Sequence, residues 1–508
     1  MKRVIGLTTG VAVLFVGVGL GGPAGARPGD RVSWGPCDKG EATTEHGQAV
    51  GRPASAEAEC AALRVPLDYA EPSGRKITLA LNRIRGSADH KLGVLLVNPG
   101  GPGASGRDLA TYVAMALPKK VVQRFDIIGF DPRGVGASKP ALRCVDPKRF
   151  YRAPRPDNVP QSRADEAALI ERARSFARAC GDRWSWLLPH MTTADSARDM
   201  DTIRQALGER RISYLGYSYG TYLGAVYATM FPGRVRRMIL DSVIDPKGVW
   251  YEDNLGQNYA FDRRHSDFLR WVAEYDKDYH LGDTLSRTTS AWYAMRGKLR
   301  THPAGGVVGP SELDDIFTMG GYTDTAWPEL AAAFSDYSRK GHTSKLVHAY
   351  KQYGTTPTAA NENGYAVYLA VECRDAPWPR DWAQWHADSV QANSDARFMA
   401  WPNAWYNAPC AFWPVRGTAT VRLGARDLPP ALFIQSKRDA ATPYEGALRM
   451  RALFPNASLL TVPGGNHGVS LNGNACVDHR LAAYLLDGKL PGGAGGTVKC
   501  SGSPEPEP

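Results

Sequence analysis

Ser218 sits in Gly216-Tyr-Ser-Tyr-Gly220, with a glycine two positions away on each side. Ile212 to Leu215 before it are mostly apolar or β-prone, and Thr221 to Phe231 after it can form a helix. A serine at a sharp strand-to-helix bend has the layout of a nucleophile elbow. The bend lifts Oγ above a sheet and needs neighbours without side chains, and the helix start lends partial positive charge to a developing oxyanion. The five-residue pattern is weak by itself, so the rest of the chain must supply a base, an acid and oxyanion donors.

Two downstream residues have the right types and settings. Asp439 follows the β-prone run Ala431–Gln435, and His467 lies in Pro463-Gly-Gly-Asn-His-Gly468, after Ser458–Val462. Asp427 precedes the first of these runs and Glu445 lies in the following helical stretch, so Asp439 is the acid at a strand's end. A serine hydroxyl becomes a useful nucleophile when an imidazole accepts its proton and a carboxylate orients the imidazole. The order Ser, Asp, His is that of α/β hydrolases. Acyl transfer also needs two fixed N–H donors. Tyr219, after the nucleophile, offers one. The other is expected from Asn98-Pro-Gly-Gly-Pro-Gly103, where Pro102 has no N–H and Gly100 or Gly101 is the candidate. A phosphate loop would close on lysine and serine or threonine, which this one does not.

The elements that position these residues follow from periodicity. Ile77–Leu81, Gly93–Val97, Phe125–Phe130 and Arg237–Val243 read as strands, with helical patterning at 163–181 and 193–208. The rhythm stops from Asp245 to about Asp427, a helical, aromatic stretch holding ten of the chain's 13 tryptophans. It resumes with strands at 431–435 and 458–462 and helices at 444–453 and about 476–487. The fold class expected is α/β: an α/β-hydrolase core (27–244 and 428–500) with a mostly parallel sheet and an inserted, mainly helical cap (245–427). Gly492–Gly496 and the tail 501–508 read as disordered.

Composition narrows the class. The formal charge of +10 is spread thinly, which argues against nucleic acid as a partner. Residues 1–26 combine a basic start, an apolar glycine-rich run and Ala24-Gly25-Ala26. They read as a secretory signal peptide, with a membrane anchor as the alternative. A secreted protein without stable membrane association is expected. Eight cysteines, none in a CxxC pair, fit disulfides and no metal site; neighbour pairing (37–60, 144–180, 373–410, 476–500) is the expected pattern.

Gly-Gly-Pro-Gly after the early strand, Asp131-Pro-Arg-Gly-Val-Gly-Ala-Ser138 and the run from Thr192 to Leu207 lead into Gly-Tyr-Ser-Tyr-Gly-Thr-Tyr-Leu-Gly224. Together they resemble the secreted tripeptidyl aminopeptidases of actinobacteria, relatives of the prolyl aminopeptidases among α/β-hydrolase serine exopeptidases. The segment with Ala441-Thr-Pro-Tyr-Glu-Gly446, the His467 loop, Cys476 and Cys500 is similar to that family's C-terminal part. The resemblance implies a Ser218–Asp439–His467 triad that cleaves short peptides from free peptide or protein N-termini, with no metal or cofactor. Three positions depart from the prolyl aminopeptidase pattern: Pro99 for histidine, Ala440 for proline and Ser242 for glycine. An exopeptidase must anchor the substrate's α-ammonium, and Glu372 and Asp375, flanking Cys373, are the candidate carboxylates. A carboxylesterase uses the same machinery, and a non-catalytic binding protein can share the fold.

Overall fold

The computed structural model describes residues 31–37, 58–425 and 427–508. The expected signal peptide, residues 1–26, lies outside the described residues. The described strands are β1 (Gly35–Pro36), β2 (Glu59–Pro66), β3 (Lys76–Ile84), β4 (Gly93–Asn98), β5 (Phe125–Asp131), β6 (Ile212–Tyr217), β7 (Val235–Asp241), β8 (Ala431–Ser436), β9 (Ser458–Val462) and β10 (Thr497–Lys499). They form one sheet in the order β1-β2-β3-β5-β4-β6-β7-β8-β9-β10. β1, β2 and β3 pair antiparallel, as does β3 with β5, and the pairs from β5 onward are parallel.

The central strands are apolar because both of their faces are covered. Alternate residues enter different clusters: Leu96, Ile128, Met238 and Phe433 on one side, Leu95, Ile127, Ile239 and Leu432 on the other. The first cluster takes in the helices Arg163–Trp184, Thr193–Ala206 and Tyr219–Met230; the second takes in Gly106–Ala116 and Ala475–Asp487. The Asp131–Ser138 motif has a structural task. Arg133 donates through Nε and Nη2 to Asp199 at 2.8 Å, and the pair is fully buried, with Arg133 Nη1 also reaching the carbonyls of Leu67 and His190. Partners on both sides of each charge offset the cost of burying it.

Between β7 and β8 the chain is helical, from Tyr251 to Phe412. It does not pack as one separate body. Phe261, Trp271, Trp292, Phe317, Trp327 and their neighbours make their own cluster, Trp401 and Trp405 pack with Leu169 and Ala173, and Ala366, Val367, Trp378, Trp385 and Trp413 join the core shared with the sheet. Most of the tryptophans are therefore packing residues.

Four disulfides join neighbours in sequence: Cys37–Cys60, Cys144–Cys180, Cys373–Cys410 and Cys476–Cys500. The last explains a difference from the sequence reading. Between the two stretches expected to be disordered lies β10, a strand the sequence reading did not include, which pairs parallel with β9 and is tied by Cys500 to the helix Ala475–Asp487. The tail beyond carries no regular structure, yet Trp271 Nε1 donates to the Pro506 carbonyl at 3.0 Å. β2 was also not among the strands expected; its Leu63 and Val65 face the core while Arg64 faces outward. Removing the Cys476–Cys500 bridge by the double change Cys476→Ser and Cys500→Ser is expected to cost about 3–4 kcal/mol. Thermal unfolding should fall and amide exchange in β10 accelerate; unchanged exchange would show that the bridge does not hold the strand.

Candidate active site

Ser218 lies between β6 and the helix Tyr219–Met230 with φ 55° and ψ −127°, a backbone state that L-residues rarely occupy. Its N–H donates to Asp241 O at 3.0 Å, and Thr221 Oγ1 donates back to the Ser218 carbonyl at 2.6 Å. The flanking glycines permit the bend. A Cβ on Gly216 would stand 2.5 Å from Gly220 O, and one on Gly220 would stand 2.7 Å from Asn98 O. The oxyanion-loop candidate packs on the same turn: a Cβ on Gly100 would lie 2.9 Å from Tyr219 N and 3.1 Å from Ser218 Cβ.

The two glycines offered as donors separate here. The Gly100 N–H donates to Asn98 Oδ1 at 3.0 Å, so it is occupied. Gly101 lines the cleft together with Ser218 and Tyr219. Gly101 and Tyr219 remain the candidates for an oxyanion's N–H pair, and Gly100 packs closely against the turn.

β6, β7, β8 and β9 are neighbouring parallel strands, so the loops carrying Ser218, Asp439 and His467 leave one edge of the sheet. Asp439 is buried. Its Oδ1 accepts from the N–H groups of Ala441 and Thr442 at 3.0 Å, and its Oδ2 accepts from Thr442 Oγ1 at 2.9 Å. His467 Nδ1 stands 3.0 Å from both carboxylate oxygens, which fixes the ring and leaves Nε2 as its free nitrogen. Burial pushes the imidazole pKa down. The charge of Asp439, its hydrogen bond and the more distant Asp241 outweigh burial and hold it above the usual 6.5.

The His467 loop is gripped from three sides. Its N–H donates to Tyr322 O at 2.8 Å, and the Tyr322 ring meets the imidazole edge-on at 5.4 Å. Asn466 Nδ2 donates to Asp324 Oδ1 at 2.9 Å. Beneath the loop lies Asp241, at the end of β7, which sequence reasoning passed over. This buried carboxylate accepts from Val469 N at 3.2 Å, Ser470 N at 2.6 Å and Ser470 Oγ at 2.5 Å. Ser242, one of the departures, has φ 61°, and its hydroxyl accepts from Gly468 N at 2.8 Å. A carboxylate at the end of a central strand was the available signal for both.

The two carboxylates offered as ammonium anchors also part ways. Asp375 is buried outside the cleft lining, where it accepts from Thr193 N at 2.7 Å and from Thr193 Oγ1; Thr193 Oγ1 in turn meets Tyr219 OH at 2.6 Å. It caps a helix start and steadies Tyr219, so its side chain is not available to substrate. Glu372 does line the cleft, with Asn254 Nδ2 donating to its Oε2 at 3.3 Å. Burial raises its pKa to about 8, with Tyr368 and Asn254 working against that shift and Asp375 adding to it. Asp253, not singled out in the sequence, is a second cleft carboxylate, with a buried Oδ2 that has no hydrogen-bond partner among the described residues.

The arrangement can run acyl transfer: a strained serine, an imidazole tied to a fixed carboxylate, and two N–H groups beside the serine. Neutral imidazole is the working form, so kcat/KM should rise with pH through a midpoint above 6.5. Asp439→Asn removes the two largest influences that raise the His467 pKa. The midpoint should then move below 6.5 while kcat falls about 10⁴-fold. An unchanged midpoint would separate Asp439 from the titration. Gly100→Ala, whose Cβ would meet Tyr217 O at 2.5 Å, is expected to cost about 100-fold or more in kcat by displacing the donor loop.

Residues 93–473 match the family model for the alpha/beta hydrolase fold. Over 441 residues the chain is 46% identical to the tripeptidyl aminopeptidase of Streptomyces lividans, a match covering 85% of this chain and 82% of that protein. It is 32% identical over 480 residues to serine protease Hip1 of Mycobacterium tuberculosis, covering 91% of this chain and 90% of the relative. Carboxylesterase B of the same species is 33% identical over 485 residues, covering 92% and 91%. The chain belongs to the α/β-hydrolase fold family and, within it, to the tripeptidyl aminopeptidase family.

Proposed function

We propose that this protein is a secreted serine exopeptidase that releases tripeptides from free N-termini through an acyl-enzyme on Ser218. His467 is the general base and then the general acid, Asp439 orients it, and Gly101 and Tyr219 hold the oxyanion. The observation that carries the exopeptidase reading is the buried carboxylate of Glu372 in the same cleft as Ser218. An α-ammonium arriving there gives the carboxylate a partner and draws off its proton.

Geometry supports the peptide length. Glu372 lies on the helix Ala359–Asp375, eight residues after Gly364, and a Cβ on Gly103 would collide with the Gly364 carbonyl. Gly103 closes the donor loop. Eight residues of helix rise about 12 Å, and three extended residues span about 10 Å. An extended tripeptide is thus close in length to the run of helix between Glu372 and the donor loop.

Secretion through residues 1–26 is part of the proposal. The four disulfides fit an oxidising compartment, and among the described residues no helix is long and apolar enough to cross a membrane. A second reading, hydrolysis of simple esters, is favoured by the relative named carboxylesterase B.

Chromogenic tripeptide amides with free and acetylated N-termini, beside a simple ester, separate these readings. The free amine should win by about 100-fold or more in kcat/KM, and Glu372→Gln should erase most of that preference by raising KM. Equal rates on free and blocked peptides would sink the exopeptidase assignment, and ester turnover without amide cleavage would favour the second reading.

A further inference from the structure

The cleft wall also carries cations, Arg155 and Arg172. Arg172 lies on the helix Arg163–Trp184. The guanidinium stacks 3.8 Å above the Phe150 ring and donates through Nη2 to the Phe150 carbonyl. Among the described residues no carboxylate lies within ion-pair distance of it. The neighbouring Arg155 is already spent, with Nε 2.8 Å from Glu312 Oε1 and Nη2 2.6 Å from Asp315 Oδ2. Half-burial and the charge of Arg155 both lower the Arg172 pKa, the mark of a cation still short of a counter-charge.

A second, independent observation lies beside it. Tyr151, 4% exposed and part of the same cleft wall, has a buried hydroxyl with no hydrogen-bond partner among the described residues. Its ring is 5.0 Å from Phe150 and 6.4 Å from Tyr365, whose own hydroxyl donates to Tyr406 O at 2.9 Å. The nearby carboxylate, Glu362, accepts through Oε1 from the N–H groups of Cys144 and Val145 at 2.6 and 3.1 Å, and its buried Oε2 reaches neither the Tyr151 hydroxyl nor Arg172. Buried polar groups are ordinarily satisfied, so an unpaired phenol next to an unpaired guanidinium points to a missing acceptor.

Position decides what that acceptor is. Tyr365 adjoins Gly364, where the cleft helix meets the donor loop, and lies seven residues before Glu372, about 10 Å along the helix. Tyr151 packs on Tyr365 and Arg172 on the neighbouring Phe150, so both stand at the donor-loop end of this helix, whereas Glu372 stands at the other. We infer that Arg172 and Tyr151 form a receptor for the C-terminal carboxylate of a short peptide, on the leaving-group side of the scissile bond. The inference rests on the exopeptidase reading with the ammonium at Glu372. It gives the cleft an acidic and a basic end that match the two charged ends of an oligopeptide, which makes oligopeptides, rather than the N-termini of long chains, the favoured substrates.

The test uses peptides with one fixed N-terminal tripeptide followed by one to five residues, each made with a free C-terminal carboxylate and as the amide. At one length, wild-type kcat/KM for the carboxylate should exceed that for the amide about tenfold, mainly through KM. That ratio should fall towards one in Arg172→Gln and partway in Tyr151→Phe. Because it compares two substrates on one enzyme, a loss of folded protein does not affect it. A wild-type ratio of one at every length, or the same ratio in Arg172→Gln, would overturn the receptor. Amides carrying a single glutamate after the scissile bond form a further arm; preference for these alone would overturn the terminal-carboxylate assignment in favour of an acidic side chain. Acetylated versions of each peptide separate the two proposals: equal cleavage of blocked and free N-termini removes the ammonium anchor, whereas the carboxylate-to-amide ratio reads only the receptor formed by Arg172 and Tyr151.

Discussion

The backbone of Ser218 is the constraint on which the rest is built. Holding a serine at φ 55° costs about 1–3 kcal/mol and persists only where the surroundings over-determine it. Here they do so through two bonds and three glycines. Ser218 N is tied to β7 through Asp241 O, its carbonyl is tied to the elbow helix through Thr221, and Gly100, Gly216 and Gly220 approach so closely that a methyl group on any of them would collide. The close approach of Gly100 also brings the donor loop onto the elbow. Nucleophile and donor loop are thus parts of one packed turn.

Four buried carboxylates around this turn, with the half-buried Asp253, show how partners assign tasks. Asp439 and Asp241 are surrounded by N–H and O–H donors, so each holds a loop in place. Asp375 is occupied by Thr193. Glu372 and Asp253 face the cleft, and among the described residues neither has a cation within ion-pair distance. An unpaired buried carboxylate is costly, so these two are where a cationic group would gain most. Type and spacing alone could not rank Glu372 above Asp375. They differ in a contact with Thr193, which lies 182 residues away in sequence.

That difference measures what the sequence made legible. The parallel strands were readable because strands buried on both faces leave continuous apolar runs, and Ser218, Asp439 and His467 were readable because each follows such a run. Where a role depends on a side chain arriving from elsewhere, the pattern gave no guide. Gly101 was separable from Gly100 only once Asn98 was seen to occupy the latter. Asp241 looked like the last residue of a strand, and its grip on the His467 loop is made across 229 residues. β10 was missed because a three-residue strand after a glycine run has no periodicity to detect, and a disulfide, not propensity, keeps it in the sheet.

The helical insertion is where fold and specificity meet. Had it packed as a single body over the sheet, the cleft between them could open and close freely. Instead its later part shares the main core, and the helix Ala359–Asp375 buries Ala366, Val367, Ala370 and Val371 there while presenting Gly364, Tyr365, Tyr368 and Glu372 to the cleft. Cys373, next to Glu372, is bridged to Cys410, which fixes that end of the helix. The earlier part has its own core, yet it reaches the catalytic machinery through Tyr322 and Asp324 at the His467 loop. A displacement of that earlier part would therefore disturb the general base, whereas the spacing from Glu372 to the donor loop is set by a helix anchored in the same core as the elbow. That spacing is on this account a rigid property of the molecule, and a motion of the earlier part would reach the His467 loop without changing the spacing.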